Sequence, residues 1–188
     1  MKKIISIPIL LAAIVILLAS CSKHSIRGNG STTIQSRTLN GFTAIKANSD
    51  IKVYISYGAT QKVEVKGYEN LVAITETNVQ NNTLNVKYDD KYYNVRNSNI
   101  EVYISIPLLT GVATNGSGNV AINQFQNAGS LDVQINGSSD FNITNCSYNN
   151  VQFDINGSGD IRASGLSSRN AEAIIHGSGD IEISCSEN

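Results

Sequence analysis

The C-terminal half of the chain contains the pentapeptide Asn156-Gly157-Ser158-Gly159-Asp160, and related pentapeptides recur on both sides of it. They are Asn115-Gly-Ser-Gly-Asn119, Asn136-Gly-Ser-Ser-Asp140 and His176-Gly-Ser-Gly-Asp180, and their starts are separated by 21, 20 and 20 residues. A fixed period of this length is typical of repeat proteins, in which each unit buries its core only against its neighbours. The pentapeptide therefore predicts a stack of similar structural units.

Apolar residues alternate with polar ones on both sides of each pentapeptide. Around the third copy, the apolar positions are Val151, Phe153, Ile155, Ile161 and Ala163. A period of two residues indicates β-strands rather than helices. The glycines at the second and fourth positions share the parity of these apolar residues. We therefore expect them to face inward, at a sharp corner with no room for side chains.

Stacking would place equivalent residues of successive repeats in columns, roughly 4.8 Å apart in parallel sheets. The first positions of the pentapeptides form one polar column, and the last positions form another. The residues that we assign to structural turns are Asn115, Gly116, Gly118, Asn136, Gly137, Asp140, Asn156, Gly157, Gly159, Asp160, His176, Gly177, Gly179 and Asp180.

The preceding part of the domain is also β but less regular. Ile51, Val53 and Ile55 alternate with polar residues, and the segment 47–51 (ANSDI) reads as a degenerate copy of the pentapeptide. The sequence thus predicts an all-β fold: a parallel β-solenoid with rungs of about 20 residues, preceded by this less regular part.

The first twenty residues have the pattern of a signal peptide: a basic start, then an apolar run too short for a typical membrane span. The following Leu18-Ala19-Ser20-Cys21 resembles the bacterial lipobox, which implies lipidation of Cys21 and an anchor in the membrane. The alternative is an ordinary signal peptide and a free Cys21. We predict a signal peptide at 1–20, a lipidated flexible tether at 21–36 and the folded domain at 37–188. Ser22 resembles the residue that sends lipoproteins to the outer membrane in some bacteria.

The net charge of the whole chain is −1, and removal of residues 1–20 with their two lysines makes it −3. This balance gives no reason to expect a nucleic-acid partner.

With these features in place, residues 37–188 resemble the auto-transporter adhesin, head GIN domain family of bacterial surface proteins. The likeness rests on Phe42-Thr43-Ala44-Ile45-Lys46, on Asp50-Ile51-Lys52-Val53, on Val63-Glu64-Val65-Lys66-Gly67 and on the repeated Gly-Ser-Gly-Asp-Ile. The resemblance implies a right-handed parallel β-helix-like fold on the cell surface, typical of Bacteroidetes, with no established activity. Family members commonly continue for a rung or two beyond the last pentapeptide. The shorter run here suggests an open edge, and hence self-association.

Several residues are candidates for a catalytic, metal-binding or disulfide role. Asp140, Asp160 and Asp180 suggest either a calcium site or a carboxylate pair, but capping of the turns by Asp and Asn explains them better. Cys146 and Cys185 invite a disulfide, yet they fall two rungs apart, so Cys146 is expected to be a small core residue beside Phe125 and Leu166. No catalytic arrangement, metal-ligand spacing or cofactor motif is evident, and we expect no enzyme activity and no cofactor.

Exposed tyrosines are the candidate ligand contacts. Tyr54 and Tyr103 lie on the outward phase of their strands, and Tyr92 and Tyr93 are expected to lie in a polar loop. Tyrosine can stack on sugars or form a protein contact, although half-buried tyrosines covering a sheet are the simpler interpretation. The sequence favours a lipid-anchored surface module for adhesion that binds a glycan or a protein. The alternative is a polysaccharide-binding or polysaccharide-active protein of the pectin-lyase type.

Overall fold

The computed structural model of the chain describes residues 24–126 and 129–184. Within them the chain forms strands and one short helix, which confirms the all-β prediction. The elements are β1 (His24–Arg27), β2 (Thr32–Arg37), β3 (Ala44–Ser49), β4 (Lys52–Tyr57), β5 (Lys62–Tyr68), α1 (Glu69–Val72), β6 (Thr75–Gln80), β7 (Thr83–Tyr88), β8 (Tyr92–Arg96), β9 (Glu101–Ile106), β10 (Gly111–Gly116), β11 (Val120–Asn123), β12 (Ser130–Gly137), β13 (Phe141–Thr144), β14 (Ser147–Gly157), β15 (Ile161–Ser164), β16 (Ser167–Gly177) and β17 (Ile181–Ser184).

The strands form two large sheets and one small one. Sheet 1 has the order β16-β14-β12-β10-β3-β7-β6, sheet 2 has the order β17-β15-β13-β11-β4-β9-β5-β2, and β1 pairs with β8. Each C-terminal repeat gives one strand to sheet 1 and the next to sheet 2, and neighbouring repeats pair in parallel. The register matches the repeat, because Asn115 lies opposite Asn136, Asn136 opposite Asn156, and Asn156 opposite His176. Equivalent residues therefore form columns, and the sheets do not close.

The pentapeptides lie at the corners between the two sheets. Their first glycines, such as Gly157 with φ +148°, have a positive φ that side chains rarely adopt. At the second glycines the restriction comes from a neighbour, since a Cβ on Gly159 would lie 2.0 Å from the carbonyl oxygen of Ser139. The room for a side chain is thus limited by the backbone of the preceding repeat along the stack. Ser139, which replaces the second glycine, is fully buried and donates a hydrogen bond to the carbonyl oxygen of Gly116 at 3.2 Å.

The degenerate copy at residues 47–51 forms an additional corner before the first clear repeat. β3 pairs in parallel with β10, and this register places Asn48 opposite Asn115 and Ser49 opposite Gly116. Ser49 adopts φ +73°, so a residue with a side chain takes the left-handed conformation there. The Asn115 amide donates to Oδ1 of Asn48 at 2.9 Å. The prediction of a degenerate copy is confirmed.

The inward columns form one hydrophobic core that runs through both parts of the domain. Val120, Phe141 and Ile161 form one column from successive repeats, and all three are at most 1% exposed. Cys146 is a buried free cysteine in the core with Phe125 and Leu166, as predicted. Cys185 lies outside the described residues, so its pairing stays untested.

The N-terminal segment corrects the expected domain boundary. β1 pairs in parallel with β8, β2 pairs antiparallel with β5, and Ile26 packs against the core. Residues 24–36 therefore belong to the fold, and the prediction of a flexible tether there is wrong. The polar composition of the segment suggested a tether, but its backbone hydrogen bonds go to strands distant in sequence. The predicted signal peptide and Cys21 lie outside the described residues. No helix within the described ranges has the length and apolarity needed to span a membrane.

The N-terminal end of the stack is closed by side chains. One guanidinium nitrogen of Arg37 in β2 donates to the carbonyl oxygens of Val72 at 3.1 Å and Thr75 at 3.2 Å. These contacts tie the edge of sheet 2 to α1 and to the edge of sheet 1. Leu71 and Val72 of α1 are buried beneath them.

Candidate functional site: a tyrosine platform on sheet 2

The carboxylates of the acidic column at the corners (Asp140, Asp160 and Asp180) take part in hydrogen bonds that join neighbouring repeats. The backbone N–H of Asp160 donates to Oδ1 of Asp140 at 3.1 Å, and the N–H of Asp180 donates to Oδ1 of Asp160 at 3.1 Å. Asp160 also accepts from Arg162 at 2.9 Å. Within the described ranges, no group of three or more His, Cys, Asp or Glu residues could hold a metal ion. The geometry matches turn capping, in which each carboxylate accepts the amide of the next repeat.

Two of the four candidate tyrosines lie side by side on the outer face of sheet 2. Tyr54 in β4 is the register partner of Tyr103 in β9. Their rings stack with centroids 5.0 Å apart and an interplanar angle of 13°. Tyr54 is 36% exposed and Tyr103 is 37% exposed, so both rings remain accessible. We call this pair the tyrosine platform.

An ion pair between Lys66 and Glu101 holds Tyr103 in place on one side of the platform. The Tyr103 hydroxyl donates to Oε2 of Glu101 at 2.8 Å, and Lys66 donates to the same oxygen at 2.9 Å. The Lys66 ammonium also lies 5.8 Å from the centroid of the Tyr103 ring, within cation–π range. The hydrogen bond and the charge of Glu101 raise the pKa of Lys66, and the hydrogen bonds from Lys66 and Tyr103 lower the pKa of Glu101. These contacts set the orientation of the Tyr103 ring.

The other side of the platform is open. Across the sheet the register partner of Tyr54 on β11 is Ala121, and the next residue in that row is Asn142. Since Ala121 carries only a methyl group, the ring face of Tyr54 that points away from Tyr103 has no tall neighbour in its row. An apolar ring face beside an amide suits a ligand that offers both C–H groups and hydroxyl or amide groups.

A shallow depression of about 270 Å³ lies beside the tyrosine platform on sheet 2. The residues that line it include both tyrosines, Ser56, Ser105, Lys62, Glu64 and Asn123. Hydroxyl, amide, ammonium and carboxylate groups thus converge beside two aromatic rings. Lys62 and Glu64 are already ion-paired at 3.0 Å, and the depression is small and open, so it offers surface contact beside the rings rather than an enclosed pocket.

The structure does not bring the other two candidate tyrosines to the platform. Tyr92 lies in β8 of the small sheet, where its ring is 6.4 Å from that of His24. Tyr93 is in the same strand and is 65% exposed. The prediction of a loop at Tyr92 and Tyr93 is wrong, because both residues belong to β8, which pairs with β1, a strand distant in sequence.

Glu101, Lys66 and Ala121 were missed by the sequence reasoning. The alternation of β9 placed Glu101 on the same face as Tyr103, so that neighbour could have been found. Lys66 could not, because β5 pairs antiparallel with β9 across a distance in sequence that no local pattern reveals.

A family model described as "Putative auto-transporter adhesin, head GIN domain" matches residues 41–187 of the chain. No curated protein matches the chain significantly. Among solved structures, a putative lipid binding protein from Parabacteroides distasonis ATCC 8503 is similar with a TM-score of 0.75 and 18% identity, over 85% of this chain and 76% of that one.

Two further structures share the fold. A putative adhesin from Parabacteroides distasonis ATCC 8503 has a TM-score of 0.61 and 19% identity, over 85% of this chain and 76% of that one. A putative adhesin from Bacteroides fragilis NCTC 9343 has a TM-score of 0.58 and 20% identity, over 85% of this chain and all of that one (100%). At these identities the likeness concerns the fold alone.

Proposed function

The chain belongs to the family described as "Putative auto-transporter adhesin, head GIN domain", and from this premise we propose that it is a lipid-anchored binding module of the bacterial cell surface. Its ligand is a surface glycan or protein, taken up at the tyrosine platform. The observation that carries the proposal is the exposed, stacked pair of Tyr54 and Tyr103, in which Glu101 and Lys66 orient Tyr103 and the small Ala121 lies beside Tyr54. The family description suggests a role without catalysis.

The proposal includes the scaffold and the anchor. Successive repeats pair in parallel and in register, which supports a right-handed β-solenoid that presents the platform rigidly. The signal peptide at 1–20 and the lipobox ending at Cys21 support export and lipidation, with the outer membrane as the destination.

The platform is tested by binding to an array of glycans and host matrix proteins. The test uses the chain from residue 22 on, which retains every described strand. Tyr54→Ala and Tyr103→Ala should each weaken binding by about tenfold, or about 1.4 kcal/mol, because each removes an aromatic face that the ligand contacts. Tyr93→Ala is the matched control, because Tyr93 is equally an exposed tyrosine but lies on the small sheet. Equal losses for all three variants, or none, would refute the platform.

The anchor is tested by metabolic labelling with a fatty acid in a bacterial host. Cys21→Ser should remove the label and release the protein from the membrane fraction. Cys146→Ser makes the same chemical change at a buried core position. This variant should keep both the fatty-acid label and its place in the membrane fraction. Retention of Cys21→Ser on membranes would contradict the lipid anchor.

One groove favours the second candidate, a polysaccharide-binding or polysaccharide-active protein. It lies on the outer face of sheet 1 and is lined by Ser130, Asn150, Asn170, Gln152, Asp132 and Glu172. Asp132 and Glu172 are two strands apart, roughly 9.6 Å in a regular sheet, near the spacing of inverting glycosidases, about 6.5–9.5 Å. Burial and the nearby charge of Asp154 raise the pKa of Asp132. Release of reducing ends by the wild type but not by Asp132→Asn would establish this alternative.

A further inference from the structure

The first described strand begins very close in sequence to the proposed lipid anchor. β1 starts at His24, three residues after Cys21. In any conformation, three residues span at most about 11 Å. The headgroup layer on each side of a bilayer is about 5–8 Å thick, and a lipidated Cys21 lies at the boundary between the acyl chains and the headgroups. The start of β1 is then no more than a few ångströms above the headgroup layer.

Backbone pairing fixes β1 to the rest of the domain. The N–H of His24 donates to the carbonyl oxygen of Lys91 at 2.8 Å, and the N–H of Gly28 donates to that of Arg96 at 2.8 Å. Ile26 of β1 packs against the hydrophobic core. The anchor therefore holds the folded domain itself, and the end of the small sheet that contains the start of β1 lies nearest to the bilayer.

Two tyrosines lie at this same end of the small sheet. β8 is parallel to β1, so both strands start here, and Tyr92 is the register partner of His24. Tyr93 follows it and is 65% exposed. Tyrosine is enriched where membranes meet water, because its ring is apolar and its hydroxyl group is polar. The position of the tyrosines and their chemistry thus indicate the same partner, the surface of a lipid bilayer.

The charges beside these tyrosines are paired with one another. Lys91 forms an ion pair with Asp89 at 3.5 Å. Lys87 pairs with Asp90, and with Glu76 at 3.6 Å. This group has no excess of positive charge, so it does not resemble the basic clusters that bind anionic lipids. The surface fits the headgroup layer of a zwitterionic phospholipid bilayer.

We propose that the small sheet docks on the bilayer that holds the anchor, with Tyr92 and Tyr93 in the headgroup layer, and that the short link from Cys21 keeps it there. This inference rests on the lipid anchor of the proposed function and adds an orientation of the domain on the membrane. The starts of β1 and β8 face the bilayer. Tyr54 and Tyr103 belong to sheet 2 rather than to the small sheet, so they remain available to a ligand.

The docking is tested with tryptophan as a reporter, because the chain contains no tryptophan of its own. The lipidated protein is reconstituted in phosphatidylcholine vesicles whose brominated acyl chains quench a nearby indole. The emission of Tyr93→Trp should be quenched at least about twofold and shifted to the blue, since the ring lies at the membrane interface.

Arg169→Trp is the matched control. Arg169 is exposed near the start of β16, which is five strands from β7 in sheet 1, or roughly 24 Å along the stack, whereas β8 directly follows β7 in the chain. The emission of this variant should stay unquenched. Quenching of neither variant, or equal quenching of both, would overturn the docking.

The composition of the vesicles separates tyrosine insertion from charge attraction. Replacement of part of the phosphatidylcholine by anionic phosphatidylglycerol should leave the quenching of Tyr93→Trp unchanged, because the nearby charges carry no positive excess. Quenching that occurs only with phosphatidylglycerol would overturn the proposed contact.

The short link is tested by lengthening it. About twelve Gly and Ser residues inserted after Ser22 add a reach of roughly 19 Å. The quenching of Tyr93→Trp should then fall at least about twofold, because the bilayer is no longer held beside β1. Unchanged quenching would overturn this part of the proposal.

Failure of the docking and failure of the proposed function give different results. A wild-type protein without the fatty-acid label would overturn the anchor and the docking together. A labelled protein whose Tyr93→Trp variant is not quenched would overturn the docking alone. Ligand binding by the soluble chain from residue 22 on involves no membrane, so its outcome is independent of both.

Discussion

The two ends of the stack are built on different principles. At the N-terminal end, strands distant in sequence pair with each other, α1 inserts Leu71 and Val72, and Arg37 joins the two sheets. In the C-terminal repeats, the same corner recurs and each strand pairs with the equivalent strand of the next repeat. A repeat can only extend its own pattern, so it leaves an edge, whereas a closing structure needs residues that break the pattern.

The largest expected loss of stability comes from the core of the repeats, where each repeat contacts only its two neighbours. Phe153 is fully buried in β14, and Phe153→Ala should lower the free energy of unfolding by about 3–5 kcal/mol. The loss should be local, with fast hydrogen exchange in β14 and β16 but not in β7. Leu84→Ala, at an equally buried position of β7, should instead affect the whole domain, since β7 connects the first corner to the cap. Equal exchange patterns for the two variants would contradict this difference.

Substitutions at the glycine corners should have the next largest effect on the free energy of unfolding. Gly157→Ala should cost about 3 kcal/mol, because φ is +148° and the new Cβ would lie 2.0 Å from the carbonyl oxygen of Gly137. Ser158→Ala changes the neighbouring exposed residue and should be nearly neutral. At the equivalent position of the first corner, Ser49→Gly should be neutral or stabilising by up to about 1 kcal/mol, because it relieves the positive φ. Urea denaturation measures all three, and a large loss for Ser49→Gly would show that the corners are not equivalent.

The cap is expected to contribute less than a corner. Arg37→Met keeps the aliphatic part of the side chain but removes the hydrogen bonds to Val72 and Thr75, which should cost about 2 kcal/mol. Arg169→Met makes the same change on the exposed face of β16 and should alter stability by less than about 0.5 kcal/mol. If the two losses proved equal, Arg37 would not close the end.

The sequence predicted the repeats far better than the cap, for a physical reason. The columns, the glycine corners and the neighbours of Cys146 follow from a period that is written into the local sequence. The pairing of β1 with β8 and of β2 with β5 joins segments without a shared pattern, so the polar composition of residues 24–36 predicts a tether instead of strands. The candidate site shows the same division: the outward phase identified Tyr54 and Tyr103 separately, but their stacking and the place of Lys66 depend on long-range register.

Charge placement gives the smallest expected effect. Both parts pair opposite charges, as in Lys66 with Glu101 and Arg162 with Asp160, but the repeats also bring the like charges of Asp132 and Asp154 close together in sheet 1. Burial, and then the charge of Asp154, raise the pKa of Asp132. A raised pKa in the folded state means that folding favours the protonated form, so stability falls as the pH rises through the folded pKa.

Asp132→Asn should therefore stabilise the protein at neutral pH, by no more than about 0.5 kcal/mol because the side chain is partly solvated. The gain should vanish below the pKa of the unfolded state, where the wild-type carboxyl is protonated in both states. Asp154→Asn should produce a gain of the same sign by removing the repelling charge. Urea denaturation at pH 3 and pH 7 measures both variants. A gain that is equal at the two pH values would mean that packing rather than charge is responsible, and that the repeats tolerate like charges in neighbouring strands without cost.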